Sequence, residues 1–140
     1  AGFIGTPPMN LLRGQGEGRN LHIGDATFGL SGAYGGAATL GLRPEDLTLV
    51  APENAGFKGE VVTVEPLGRE VFYGLATSAG LIHALEHGEA VQHAPGAMVG
   101  ITCKPELTLV FGASGNRIAD LHVDFFHDAE HRANKRAAAN

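Results

Sequence analysis

The sequence predicts an all-β domain, a small barrel or sandwich, on three observations. Glycine is abundant, 21 of 140 residues, and 7 prolines join it in punctuating the chain; glycine supplies the positive-φ positions that turns and bulges need. Short apolar runs rich in Val, Leu and Phe lie between these breaks. They recur at roughly the 8–12-residue spacing of barrel or sandwich strands. Hydrophobic residues make up 44% of the chain, enough for one core, and charged residues 18%, below the roughly 25% of an average domain.

Residues 1–19 are expected to be irregular. Pro7-Pro8 blocks a helix there, and Gly14, Gly16 and Gly18 follow closely. Leu21, Ile23 and Phe28 mark a first weak strand region, and Gly29 to Gly36 reads as a loop. Leu40 to Leu42 is a strand stopped by Arg43-Pro44, and Leu47 to Val50 a second one closed by Pro52. The clearest alternation is Val61, Val62 and Val64, ending at Pro66-Leu67-Gly68. Val71 to Ala76 follows, with Phe72 and Tyr73 adding β propensity. Leu81 to Leu85 reads as strand in preference to a helical turn. Met98 to Cys103 and Leu107 to Phe111 are strands parted by Lys104-Pro105-Glu106, and Arg117 to Val123 continues beyond a Gly112–Asn116 turn. The Ala-, Arg- and Lys-rich tail is too short to hold a helix alone. The division expected is linker 1–19, β domain 20–127 and tail 128–140, a short helix or disorder. No long internal repeat stands out.

Composition narrows the function classes. With 10 Lys+Arg against 15 Asp+Glu the net charge is −5, and no basic stripe answers the phosphates that dominate nucleic-acid binding. No run approaches the roughly 18 apolar residues of a membrane helix. Cys103 is the only cysteine, so no internal disulfide forms. The opening AGFIGTPPMN reads as a cut into a longer polypeptide.

Four phrases in one order carry a family resemblance. Gly2-Phe3-Ile4-Gly5-Thr6-Pro7-Pro8-Met9-Asn10 resembles the phrase that ends the nucleotide-binding domain of maltose- and glycerol-phosphate-type ABC ATPase subunits. Leu40-Gly41-Leu42-Arg43-Pro44-Glu45-Asp46-Leu47 is similar to their "GIRPE" segment, and Val62 to Glu70 to their "VEPLGxE" strand and turn. Leu107 to Ile118 resembles their last strand and turn. The resemblance covers about residues 2–120. It implies the C-terminal TOBE or MOP-like region, an OB-fold-like barrel that pairs in the ATPase homodimer and regulates it. ATP and Mg would then belong to an upstream ATPase domain, with membrane permeases as further partners and the inner face of the membrane as the location. No cofactor is expected in this chain itself.

The resemblance points to turns, not to reactive groups. Gly41, Arg43, Pro44 and Glu45 form one candidate contact turn, and Glu65, Pro66 and Gly68 another. Phe3, Ile4, Pro8, Met9 and Asn10 are candidate anchors of the linker. A specific dimer contact buries about 1,200–2,000 Å² in total. The rival reading is a MOP-like oxyanion module, which would gather backbone N–H groups with Arg43, Arg69 or Lys58.

Other patterns carry less. The chain has no Gly-x-x-x-x-Gly-Lys-Ser/Thr phosphate loop, so nothing here cradles ATP. Leu30 to Gly36 echoes an ABC signature but lacks its Gln and reads as a loop. His127-Asp128-Ala129-Glu130-His131 fits the bare H-x-x-E-H pattern without the third ligand that zinc needs. His83, His87 and His93 suggest a pH-responsive patch or exposed loop histidines. Cys103 is expected to be an inert strand thiol, and Glu60, Glu65 and Glu70 solvated carboxylates.

Overall fold

A computed structural model of the chain describes residues 7–125. Phe3, Ile4, the His127–His131 pattern and the tail 128–140 lie outside the described residues. Among the described residues eleven strands run in order: β1 (Asn10–Glu17), β2 (Asn20–Ile23), β3 (Ala26–Leu30), β4 (Gly36–Leu42), β5 (Leu47–Val50), β6 (Lys58–Pro66), β7 (Glu70–Thr77), β8 (Gly80–His87), β9 (Met98–Cys103), β10 (Leu109–Phe111) and β11 (Val123–Asp124). Three 3-10 turns, Pro44–Asp46, Pro52–Asn54 and Pro105–Leu107, each begin with proline. The missing N–H of proline costs nothing at that position.

The strands form two antiparallel sheets, ordered β10-β4-β1-β2-β3-β11 and β5-β9-β6-β7-β8. Inward residues alternate with outward ones, as in β3, where Ala26, Phe28 and Leu30 are buried between half-buried neighbours. One apolar core joins both sheets, from Leu12, Leu21, Ile23 and Phe28 to Val61, Tyr73, Ile82, Ile101 and Val123. Phe28 packs against Phe57 and Phe125, with ring centroids 5.6 and 4.8 Å away. The all-β, OB-like expectation therefore holds.

The two sheets are copies of one plan. A four-strand Greek key, β1–β4 in one and β6–β9 in the other, is ordered last-first-second-third in both. Each Greek key runs into a proline-led 3-10 turn, Pro44 in one and Pro105 in the other, and the strand that follows the turn leaves for the opposite sheet. β5 pairs with β9, Leu47 facing Cys103 and Val50 facing Gly100. β10 pairs with β4, Leu109 facing Gly41 and Phe111 facing Thr39. No long repeat stands out in the sequence, yet the topology is repeated, and the exchange of fifth strands is reciprocal.

Other expectations also need correction. Residues 10–17, expected to be irregular, form β1, which pairs with both β2 and β4. Gly14 and Gly16 are not turn glycines: a Cβ on Gly14 would stand 2.6 Å from Ile23, and one on Gly16 2.8 Å from the Tyr34 ring. Leu107 belongs to the third 3-10 turn, so β10 starts only at Leu109. Residues 117–123 are not a continuous strand. Arg117 makes one bridge to Phe111, and pairing resumes at β11 against β3.

Candidate functional site

The linker phrase and the first candidate turn meet in the structure. β1 places Asn10 opposite Leu42 and Leu11 opposite Gly41. A Cβ on Gly41 would lie 2.6 Å from Met9 Sδ and 2.9 Å from the Phe111 ring. Gly41 is thus the floor on which Met9 and Phe111 close, from the linker side and from the exchanged β10. Asn10 is buried, and its amide bridges the two sheets. Its Nδ2 donates to the Leu42 carbonyl (3.0 Å) and to the His83 carbonyl (2.8 Å), while its Oδ1 accepts from the His83 N–H (2.8 Å). One side chain stands in for a strand along the edge of β8. Pro8 is exposed beside this assembly.

The Pro44 turn continues from there. Pro44 is buried while Arg43 and Glu45 are exposed. The turn closes through the Asp46 and Leu47 N–H groups, donated to the Arg43 and Pro44 carbonyls, and it packs against β8. Neither Arg43 nor Glu45 makes an ion pair among the described residues. They are left as outward charges on a rigid base. The second candidate turn lies at the other end of β8. Glu65 faces Phe72 and Pro66 faces Val71, Leu67 donates to the Glu70 carbonyl (2.7 Å), and Gly68 turns the chain at φ 78°. Gly88, just after β8, donates to the Arg69 carbonyl (2.8 Å). So β8 touches both candidate turns, from His83 near Asn10 to His87, opposite Glu70. The four residue steps from His83 to His87 span about 13 Å.

The histidines do not form one patch. The His83 ring lies flat on Phe72, centroids 4.9 Å apart and planes 8° apart, and burial lowers its pKa. His87 is exposed, 3.5 Å from Glu70. His93 sits 3.3 Å from Glu86 and edge-on to Tyr73. The Cys103 thiol is buried, and its pKa is pushed up to about 12 by that burial and by the Asp46 and Glu106 carboxylates. A thiol so disposed is a poor nucleophile. The candidate anion ligands do not converge. Lys58 opens β6 and Arg69 lies beyond its end, so a nine-residue strand, about 27 Å, parts them.

Reading the sequence alone missed Gly100, and it took Lys104-Pro105-Glu106 as a break between strands without matching it to the Pro44 turn. A Cβ on Gly100 would stand 2.8 Å from both the Ala51 carbonyl oxygen and the Ala55 Cβ. Only glycine lets the 51–57 connection cross over β9. The signal for the second turn was present: Lys104-Pro105-Glu106 with Leu107-Thr108-Leu109-Val110 repeats Arg43-Pro44-Glu45 with Leu47-Thr48-Leu49-Val50.

Comparison with known proteins agrees with this geometry. The TOBE domain family model matches residues 40–111, from the end of β4 through β10. The sn-glycerol-3-phosphate import ATP-binding protein UgpC of Rhodopseudomonas palustris is 35% identical, over 86% of this chain and 36% of its own length. UgpC of Cereibacter sphaeroides is 40% identical over 51% of this chain and 21% of its own. The xylose/arabinose import ATP-binding protein XacK of Haloferax volcanii is 47% identical over 50% of this chain and 20% of its own. The chain thus spans about a fifth to a third of the length of these relatives. The fold is shared with the cytoplasmic molybdate-binding protein ModG, crystallised with molybdate bound, at TM-score 0.60 and 19% identity, over 72% of this chain and 94% of that one. A TOBE domain is a non-catalytic part of ABC-transporter ATPases. By the match across its two sheets, and by import ATP-binding subunits as relatives, this chain belongs to the TOBE domain family.

Proposed function

We propose that this chain is the regulatory and dimerisation module of the ATP-binding subunit of an ABC importer for sugars or related solutes. The observation that carries the reading is the stretch matched by the TOBE family model, residues 40–111. It contains both candidate turns, and β8 connects them. Two copies pair through this rim, with Arg43 and Glu45 of the first turn and Glu65, Pro66 and Gly68 of the second making contact. Met9 and Asn10 pin the linker from an ATPase domain onto the barrel, so motion of that domain reaches β8. ATP and Mg bind to that ATPase domain, since this chain has no phosphate loop. Permease subunits hold the assembly at the inner face of the membrane. Among the described residues no helix is long and apolar enough to cross it.

Sedimentation velocity across a concentration series tests this. A monomer–dimer equilibrium is expected, weakened by Arg43→Glu alone, which sets like charges against each other across a twofold contact. A chain that stays monomeric throughout, or a dimer indifferent to that variant, overturns the reading.

A second reading, a small-oxyanion module, draws on the fold shared with a molybdate-binding protein. The separation of Lys58 from Arg69 speaks against it. Calorimetry with molybdate, tungstate and sulfate is expected to show no heat of binding; saturable heat with any of them would favour this second reading.

A further inference from the structure

A cleft of about 390 Å³ opens where the β2–β3 turn meets the β7–β8 turn. We infer that it binds a small neutral polyol, a compound that presents two adjacent hydroxyls. Asp25, Lys58, Ala76, Thr77, Ser78 and Met98 line it, and its size falls within the roughly 300–1,000 Å³ of small-ligand sites. Binding here does not depend on the proposed regulatory role.

Both sheets build the wall of this cleft. Gly24 and Asp25 make the two-residue β2–β3 turn, closed by the pairing of Ile23 with Ala26, and Gly24 takes a positive φ of 58°. A side chain on Gly24 would collide with Ser78, so the two turns lie in direct contact. Ser78 Oγ donates to Asp25 Oδ1 (2.6 Å), and the Asp25 N–H donates back to Ser78 Oγ (3.1 Å). Thr77 Oγ1 donates to the Gly80 carbonyl (2.7 Å) and accepts from the Ala79 N–H (3.0 Å). Both hydroxyl protons are therefore committed within the wall. Two strong groups are not. Among the described residues no hydrogen bond or ion pair engages the second Asp25 carboxylate oxygen or the Lys58 ammonium.

A carboxylate oxygen and an ammonium that share a cleft without meeting call for a ligand that both donates and accepts. One hydroxyl donates to Asp25, its neighbour accepts from Lys58, and each contact is a charge-assisted hydrogen bond. Charge selects against ions. Lys58 and Glu60 both point outward from β6, with buried Gly59 between them, and Glu60 stands between Met98 and Ala76 in the ladder. An anion would meet two carboxylates, Asp25 and Glu60, for one ammonium, and a cation would meet Lys58. A neutral ligand avoids both conflicts. Met98, 50% exposed, and the exposed Ala76 give apolar surface for the C–H face of such a compound. A ligand seated there touches the β2–β3 turn of one sheet and β6, β7 and β9 of the other, so binding pins the two sheets together.

Titration of the isotope-labelled full chain with glycerol and, separately, with xylose tests this by amide NMR. Sugars at high concentration stabilise any folded protein by exclusion from its surface, so the readout is saturation and location, not a raised melting temperature. Saturable shifts with at least one of the two are expected, concentrated at Asp25, Lys58, Thr77, Ser78 and Met98. Lys58→Met keeps the length of the side chain and removes its ammonium. Because Lys58 has no polar partner to lose, the rest of the spectrum is expected to stay native. Affinity is expected to fall about tenfold, the loss of one hydrogen bond to a charged group. Asp25→Asn keeps an oxygen for Ser78 and puts an N–H where the free oxygen stood; it is expected to weaken binding to a similar degree. Sulfate at matched ionic strength is expected to leave these amides unmoved. Shifts that grow linearly with both compounds, shifts gathered elsewhere, or an affinity unchanged in Lys58→Met overturn the polyol site. So does saturable sulfate binding in this cleft, which would make it a site for anions.

Discussion

Asn10 holds two sheets together with one amide, and its worth follows from what its loss would strand. Asn10→Ala removes the partners of the His83 N–H and carbonyl and one partner of the Leu42 carbonyl. A buried backbone group left without a partner costs about 1–3 kcal/mol. The variant is expected to lose about 2–3 kcal/mol, read as a lower urea midpoint at unchanged slope. An unchanged midpoint would mean that water replaces the amide at no cost. His83, held by that amide, adds a pH term whose sign is fixed. Burial lowers its pKa in the folded chain below the ordinary 6.5. On acidification the unfolded chain takes up this proton first, so stability falls as pH drops through 6.5 and is fully present above it. His83→Phe keeps the stack on Phe72 without a titrating group. Its melting temperature is expected to fall less than that of the parent between neutral and mildly acidic pH. Equal slopes for the two proteins would remove His83 from the pH dependence.

At the level of elements, what could be read from the sequence depended on what each glycine and proline was for. β4 to β9 were legible because β-branched and aromatic runs ended at prolines or at turn glycines such as Gly68 and Gly80, which have positive φ. β1 was not legible, because Gly14 and Gly16 look like turn residues and instead make room for Ile23 and Tyr34 across the sheet. β11 has only two residues, too few for any alternation to register. The repeat was hidden by a one-residue offset. Asp46 lies between Glu45 and Leu47, whereas Leu107 follows Glu106 directly. The matching phrases Leu-Thr-Leu-Val therefore align one position away from the structural equivalence. It is Leu47 and Thr108 that close the two 3-10 turns, each donating its N–H to the proline carbonyl. Of the candidate site, the turns were visible as phrases and Asn10 as a linker residue. Its role as a clamp was not, because the partner, His83, is remote in sequence.

For the whole molecule, the extent of the family match and the extent of the folding unit differ. The match, residues 40–111, holds all of the β5-β9-β6-β7-β8 sheet, yet that sheet is not self-sufficient. Its core is shared with Leu12, Leu21, Ile23 and Phe28 on one side of the match and Val123 and Phe125 on the other. Within the matched span β4 keeps only Leu40–Leu42, and β10 would pair with that remnant alone. Removal of these partners exposes Ile82, Leu75 and Phe57, which are buried in the intact chain, in a body of marginal size, where each lost contact weighs heavily. A truncation to residues 40–111 is therefore expected to be collapsed but not uniquely packed. It should bind a hydrophobic dye and melt without a cooperative transition, whereas residues 7–125 unfold in one step. A dispersed amide spectrum and a single sharp transition from the 40–111 polypeptide would show instead that the second sheet is an autonomous domain, with the first sheet merely docked against it.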